Sequence, residues 1–284
     1  MRFGFAKKYV QRLVIITLIS LANSCSQFLP NITDPTNSEN NDVKVLFIGS
    51  SYFSFNDLPQ LVKKLIKEEG KDVFIDSRII NGKFLDFHAG DVTTESKINQ
   101  QPWDYVILQG VCINAGYPET HQRIFPPYER HPLKSSLETL KQKILANNVN
   151  TEIIYCMPWA FEDGTTWIAG QNDTYEDMQK KIYDNVIELA RELDIIISPV
   201  GWAWYEVLKD TQWLHYLHLS DYNHPSLSGS YLMARTIYVT LYQERLEDVN
   251  YYGGLHEDDA LYFQTVASQT VMNDLILWNL GTDN

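Results

Sequence analysis

The chain has 284 residues, 44% of them hydrophobic and 21% charged, with a formal net charge of −13. These are globular values, and the length suits one large domain or at most two. Without the first 24 residues, which hold four basic and no acidic side chains, 19 basic side chains face 36 acidic ones, so the surface repels phosphate backbones and excludes nucleic acid as a partner.

The chain opens on a targeting pattern. Lys7, Lys8 and Arg12 form a positive n-region, and Leu13 to Leu21 is an apolar run too short to span a bilayer comfortably. Ala22-Asn23-Ser24-Cys25 follows and resembles a bacterial lipoprotein signal, in which Cys25 is lipidated and becomes the mature N-terminus. Asn23, and the lack of a large aliphatic residue directly before it, depart from the usual lipobox, so ordinary signal peptidase cleavage stays open. The expectation is a signal peptide over residues 1–24, a flexible polar tether over 25–42 and one domain over 43–284. The protein is then exported: lipid-anchored at a periplasmic or cell-surface membrane, or periplasmic or secreted if not lipidated.

The domain begins with Val45-Leu-Phe-Ile48, an apolar run that suits a strand buried on both faces. Gly49 permits a tight turn, and Ser50 and Ser51 follow. Asp57 and the periodic Leu58, Leu61, Val62, Leu65 and Ile66 start a helix just beyond. A serine between a buried strand and a helix faces the crevice at the carboxyl end of a sheet, where backbone N–H groups point at a developing anion. The plainer reading is a serine-rich turn that caps a helix. Further strands are predicted at Asp72–Ile80 (ending at Asn81-Gly82), Trp103–Gln109, Thr151–Met157 and Asp194–Ser198. Helices are predicted behind a capping box at Ser135 and Glu138, behind Thr174, from Pro225 to Leu246 with His224 near the cap, and from Glu257 to Leu280. Strands spaced by helices argue for one parallel sheet with helices on both faces. Cys112 and Cys156 read as two buried thiols, with a disulfide between them the alternative in an oxidising compartment.

Leu219-Ser-Asp221-Tyr-Asn-His224-Pro-Ser is the second informative segment. An aspartate three residues before a histidine can sit under the imidazole and hold one tautomer, leaving the other nitrogen to take a proton from a serine. His215, His218, Asp221 and His224, spaced by three, also raise a metal site. Packing at the sheet edge is the preferred reading of His215 and His218, and no cofactor is expected. Trp159, Phe161 and Trp167 follow the fourth strand at the same edge, where flat rings can stack on sugars or simply fill space; for Trp202 and Trp204 packing is preferred.

Together, Phe47-Ile-Gly-Ser-Ser51-Tyr-Phe, Asn81-Gly82, Asp104-Tyr-Val-Ile-Leu-Gln109 and Asp221-x-x-His224-Pro-Ser-x-x-Gly229-x-Tyr231-Leu232 resemble the SGNH/GDSL hydrolase superfamily, above all the branch written Gly-Asn-Ser-Tyr-Thr at its nucleophile. The resemblance spans about Val43 to Leu246. It implies a three-layer α/β/α sandwich with a five-stranded parallel sheet, and ester hydrolysis through a Ser-His-Asp triad. The nucleophile falls on Ser51, the general base on His224, its orienting acid on Asp221, and a backbone oxyanion donor on Gly82 beside that of Ser51. The family's Gly-x-Asn-Asp block is absent after the third strand. Gln109 is the first candidate for the side-chain oxyanion donor and Asn114 the second. The context points to an acylated carbohydrate, most simply an O-acetyl sugar, with Trp159 and Trp167 as binding residues. A lipid esterase or thioesterase, and a glycan-binding lipoprotein without catalysis, are the rivals.

Overall fold

In the computed structural model the described residues are 43–117, 132–167, 172–210, 216–246 and 250–281. The targeting segment, the tether, Cys25 and His215 lie outside them. Five strands run in parallel: β1 (Val43–Gly49), β2 (Val73–Ile79), β3 (Tyr105–Gln109), β4 (Glu152–Cys156) and β5 (Ile196–Ser198), in the spatial order β2-β1-β3-β4-β5. Helices cover both faces, as the alternation of elements predicts, and the architecture is an α/β/α sandwich.

The alternation of side chains along β1 shows how the layers divide. Val45 and Phe47 point into one core, with α2 (Leu58–Glu68), α8 (Val200–Lys209), α9 (Leu227–Tyr242) and α10 (Glu257–Met272). Leu46 and Ile48 point into the other, with α3 (Leu85–Gly90), α5 (Cys112–Gly116), α6 (Leu133–Asn147) and α7 (Tyr175–Leu193). The apolar run Val45 to Ile48 is what burial on both faces demands. All four of these side chains have no exposed surface.

The chain leaves β1 for β2 on one side and returns to β3 on the other, in register Val45 to Tyr105 through Ile48 to Leu108. The order of strands therefore reverses at β1, and the crevice beyond the carboxyl ends of β1 and β3 is where such sheets bind ligands.

Several local expectations change. Ser135 and Glu138 do not open α6, which begins at Leu133 behind Pro132; Ser135 instead lies inside the helix, where its carbonyl accepts from Thr139. Thr174 and Asp177 do form the reciprocal capping box of α7. The last helices are shorter than their apolar periodicity implies. Ser226, not His224, caps α9, because Pro225 pairs with His218 in an isolated antiparallel bridge. α10 ends at Met272 and turns carry the chain to Leu280. Cys112 and Cys156 are free and buried.

Candidate active site

The turn after β1 is held on every side. The Gly49 carbonyl accepts from Ile80 N–H at 3.0 Å and from His88 Nε2 at 3.0 Å. Ser50 N–H donates to Gln109 Oε1 at 2.9 Å, and the Ser50 hydroxyl donates to the same oxygen at 3.1 Å. A Cβ on Gly49 would stand 2.9 Å from Gln109 Oε1 and 2.9 Å from the Phe53 ring, so only glycine lets the β3 side chain reach the turn. Ser51 then opens the short helix α1 (Ser51–Ser54).

The loop before α9 approaches from the other side. Asp221 Oδ1 accepts the backbone N–H groups of Asn223 (3.1 Å) and His224 (2.9 Å), which folds the loop around the carboxylate. The second oxygen, Oδ2, lies 2.6 Å from His224 Nδ1, and His224 Nε2 lies 2.8 Å from Ser51 Oγ. A carboxylate only accepts, so Nδ1 carries the proton and the bare Nε2 accepts the Ser51 hydroxyl. Partial burial pushes the Asp221 carboxyl up, but hydrogen bonds from the His224 side chain and from the backbone of His224 and Asn223 outweigh it and hold the group below the usual carboxylate range. Phe55 stacks on the imidazole at 4.4 Å and 19°, which fixes the plane of the ring.

Two ties join the loops. The Tyr52 hydroxyl donates to Asn223 Oδ1, and Asn56 Nδ2 donates to Ser230 Oγ (2.8 Å) and to the Ser226 carbonyl (3.2 Å). Asn56 and Asp57 both hold positive φ, a conformation their short polar side chains tolerate. The sequence reading gives no role to Tyr52, Phe55, Asn56, His88 or Asn223. For Tyr52 and Asn223 the available signal is adjacency: each is next to a member of the serine–histidine pair.

Other expected residues move. Gln109 is 2% exposed, with its Oε1 on Ser50 and its Nε2 donating to the Gly110 carbonyl at 2.6 Å. Its Oε1 and one Nε2 hydrogen support the turn. Asn114 sits in α5 beyond Val111, Cys112 and Ile113, which line the neighbouring pocket. Gly82, at φ +70°, is third in a turn closed by Lys83 N–H on the Ile80 carbonyl, the position that demands positive φ in a type II turn. Ile80 N–H is bound to Gly49, so this turn starts beside the serines.

Trp159 is 1% exposed, stacked against Trp204 at 4.0 Å and Tyr52 at 4.5 Å. Both faces are taken, so Trp159 is not a ligand platform; its indole N–H holds the Asn223 carbonyl at 2.9 Å and buttresses the histidine loop. Trp167 differs, being 59% exposed. Trp202 packs against Tyr183 and Tyr205. His218 is buried, its Nε2–H donates to the Ala160 carbonyl, and it meets Trp204 edge-on, as a packing histidine does. Among the described residues no group of three or more His, Cys, Asp or Glu side chains could hold a metal ion.

Beside the serine and histidine lies a pocket of about 490 Å³, within the range of small-molecule sites. Tyr52, Phe84, Phe161, Trp167 and Tyr222 give its walls aromatic character, and Asp163 and Asp221 supply its charge.

No family model matches the chain, and no curated protein matches it. Solved structures do. A DUF4886-family protein from Bacteroides uniformis aligns over 83% of this chain and 95% of its own, with a TM-score of 0.61 and 20% identity. A protein provisionally assigned as an SGNH hydrolase, from Slackia heliotrinireducens, aligns over 71% of this chain and 100% of its own, at 0.56 and 17%. An α/β-hydrolase enzyme from the metagenome of Lake Arreo, Spain, aligns over 69% and 93%, at 0.50 and 17%. At such identities the likeness is one of fold: the five-stranded α/β/α architecture is that of the SGNH hydrolases.

Proposed function

We propose that the chain is a serine carboxylic-ester hydrolase with Ser51 as nucleophile, His224 as general base and Asp221 as the group that orients it. The observation that carries this reading is the unbroken chain from Ser51 Oγ through the imidazole to Asp221, at 2.8 and 2.6 Å. Across it His224 Nε2 takes the Ser51 proton as the oxygen attacks an ester carbonyl. Asp221, a poor proton acceptor in this setting, stabilises the imidazolium without being protonated. The backbone N–H groups of Ser51 and Gly82 receive the tetrahedral oxyanion. His224 returns the proton to the departing alcohol. Water then attacks the acyl carbonyl as His224 takes its proton, and that proton passes to Ser51 Oγ as the acyl–oxygen bond breaks and the acid leaves. Gln109 supports the turn with its Oε1 and one Nε2 hydrogen, and no side chain is assigned to the oxyanion; one such donor is worth about 10²–10³ in turnover.

The substrate in this reading is an acylated carbohydrate, most simply an O-acetyl sugar. The exposed Trp167 at the pocket supports it, since a flat indole face suits a sugar ring. Lipidation of Cys25 would hold the enzyme at a membrane surface. A fluorophosphonate probe should label the wild type and not Ser51→Ala. Turnover of p-nitrophenyl acetate should be lost in His224→Ala, which separates an esterase from a glycan-binding protein. Labelling that persists in Ser51→Ala overturns the assignment. A steep preference for long-chain p-nitrophenyl esters would favour a lipid esterase or thioesterase. Incorporation of a palmitate analogue should disappear in Cys25→Ala.

A further inference from the structure

We infer that the pocket beside Ser51 selects esters whose alcohol carries a positive charge, held between the aromatic walls and the Asp163 carboxylate; this deepens the esterase reading and rests on it for the identity of the reacting group. Three observations converge. First, among the described residues that line the pocket there is no lysine, arginine or histidine, and the only charged groups are Asp163 and Asp221. Second, Asp221 is committed to His224, whereas Asp163 has no cationic partner among the described residues. Its hydrogen bonds run through its backbone carbonyl, to Thr166, and leave the carboxylate open. Third, the walls are aromatic and partly open. Trp167 and Tyr222 are 59% and 53% exposed, and Phe161 and Trp167 meet in a T-shaped pair at 5.7 Å and 70°.

The face of an aromatic ring is the negative end of its quadrupole and attracts cations, above all quaternary or protonated amines. An unpaired carboxylate at the same pocket adds a Coulomb attraction of the same sign. The acidic balance of the whole chain supplements both at long range. An anionic group would meet the reverse of each effect with no counter-charge among the lining residues. A neutral group would use the walls and leave Asp163 unanswered. The chemistry that matches the site is an ester of an amino alcohol: a choline-like ester, or an O-acylated sugar bearing a free amine.

Binding to the full chain carrying Ser51→Ala tests the inference without requiring turnover. Three probes of matched shape differ in charge: acetylcholine, 3,3-dimethylbutyl acetate and acetyl isethionate. Calorimetry or ligand-observed NMR should find acetylcholine bound about five- to tenfold more tightly than its neutral isostere, and the sulfonate more weakly than either. Asp163→Asn in the same background should bring the cation-to-neutral ratio to within about twofold of one, and Asp163→Lys should invert the order of cation and anion. Neutral and cationic probes binding alike, a ratio unchanged in Asp163→Asn, or no saturable binding of any probe would overturn it. Failure of the esterase reading shows separately, as wild-type protein that releases no acetate from p-nitrophenyl acetate whatever the binding order.

Discussion

Replacing Gln109 by leucine separates a supporting role from a catalytic one. Leucine keeps much of the volume, so little cavity forms. It removes the acceptor for Ser50 N–H (2.9 Å) and for the Ser50 hydroxyl (3.1 Å), and the donor to the Gly110 carbonyl (2.6 Å), all in buried surroundings. The hydroxyl can rotate towards another partner; the N–H and the carbonyl cannot. Two stranded backbone groups at about 1–3 kcal/mol each give a loss of about 2–6 kcal/mol, against a total of about 5–15 kcal/mol for a typical domain. Urea unfolding followed by tryptophan fluorescence should show a lowered midpoint with an unchanged slope. Turnover should fall as well, because Ser51 follows the loosened peptide. The reasoning is refuted if unfolding free energy stays within about 0.5 kcal/mol of wild type while turnover falls about 10²–10³-fold, the pattern of a lost oxyanion donor.

Burial pushes the His218 imidazole down to about 4, from an ordinary value of about 6.5. The unfolded chain takes up a proton near pH 6.5 that the folded one refuses until about pH 4. Stability from this group is therefore complete above pH 6.5 and is lost as pH falls towards 4, by up to about 3 kcal/mol. His218→Gln should flatten the dependence of melting temperature on pH between 7 and 4.5, and an unchanged slope would count against it. Tyr52→Phe removes the hydroxyl that ties Asn223 to the serine loop. Steady-state kinetics should show kcat reduced about 2–10-fold, the equivalent of one hydrogen bond, with the circular dichroism spectrum intact. Trp159→Ala should cost about 3–5 kcal/mol in chemical unfolding, because both ring faces are packed. Trp167→Ala should change stability by under about 0.5 kcal/mol and raise KM for a sugar ester. The reverse pattern would exchange the two roles.

The site was legible where its residues are neighbours in the chain. Asp221 and His224 lie three apart, so one loop can join carboxylate and imidazole through local hydrogen bonds. Ser51 follows the run Val45 to Ile48, apolar at every position and so buried on both faces, and that places it at a carboxyl edge. The aromatic residues were not legible in the same way. Trp159 and Trp167 are eight positions apart after one strand, and nothing in their types distinguishes a ring closed between Tyr52 and Trp204 from one open to solvent. The supporting bonds of Gln109 were hidden for a related reason. It stands at the right strand end to donate to an oxyanion, but Gly49 leaves a gap that its amide fills.

Periodicity and turn chemistry, read along the chain, were enough for the parallel sheet, the two buried layers and the serine and histidine loops at one edge. Those features depend on burial and on contacts between near neighbours. The tertiary structure alone decided which polar atoms meet across 59 to 174 positions: Gln109 with Ser50, Tyr52 with Asn223, Asn56 with Ser230. Hydrogen bonds are short and directional, so their partners depend on ångström-scale packing of both layers, which no local pattern encodes.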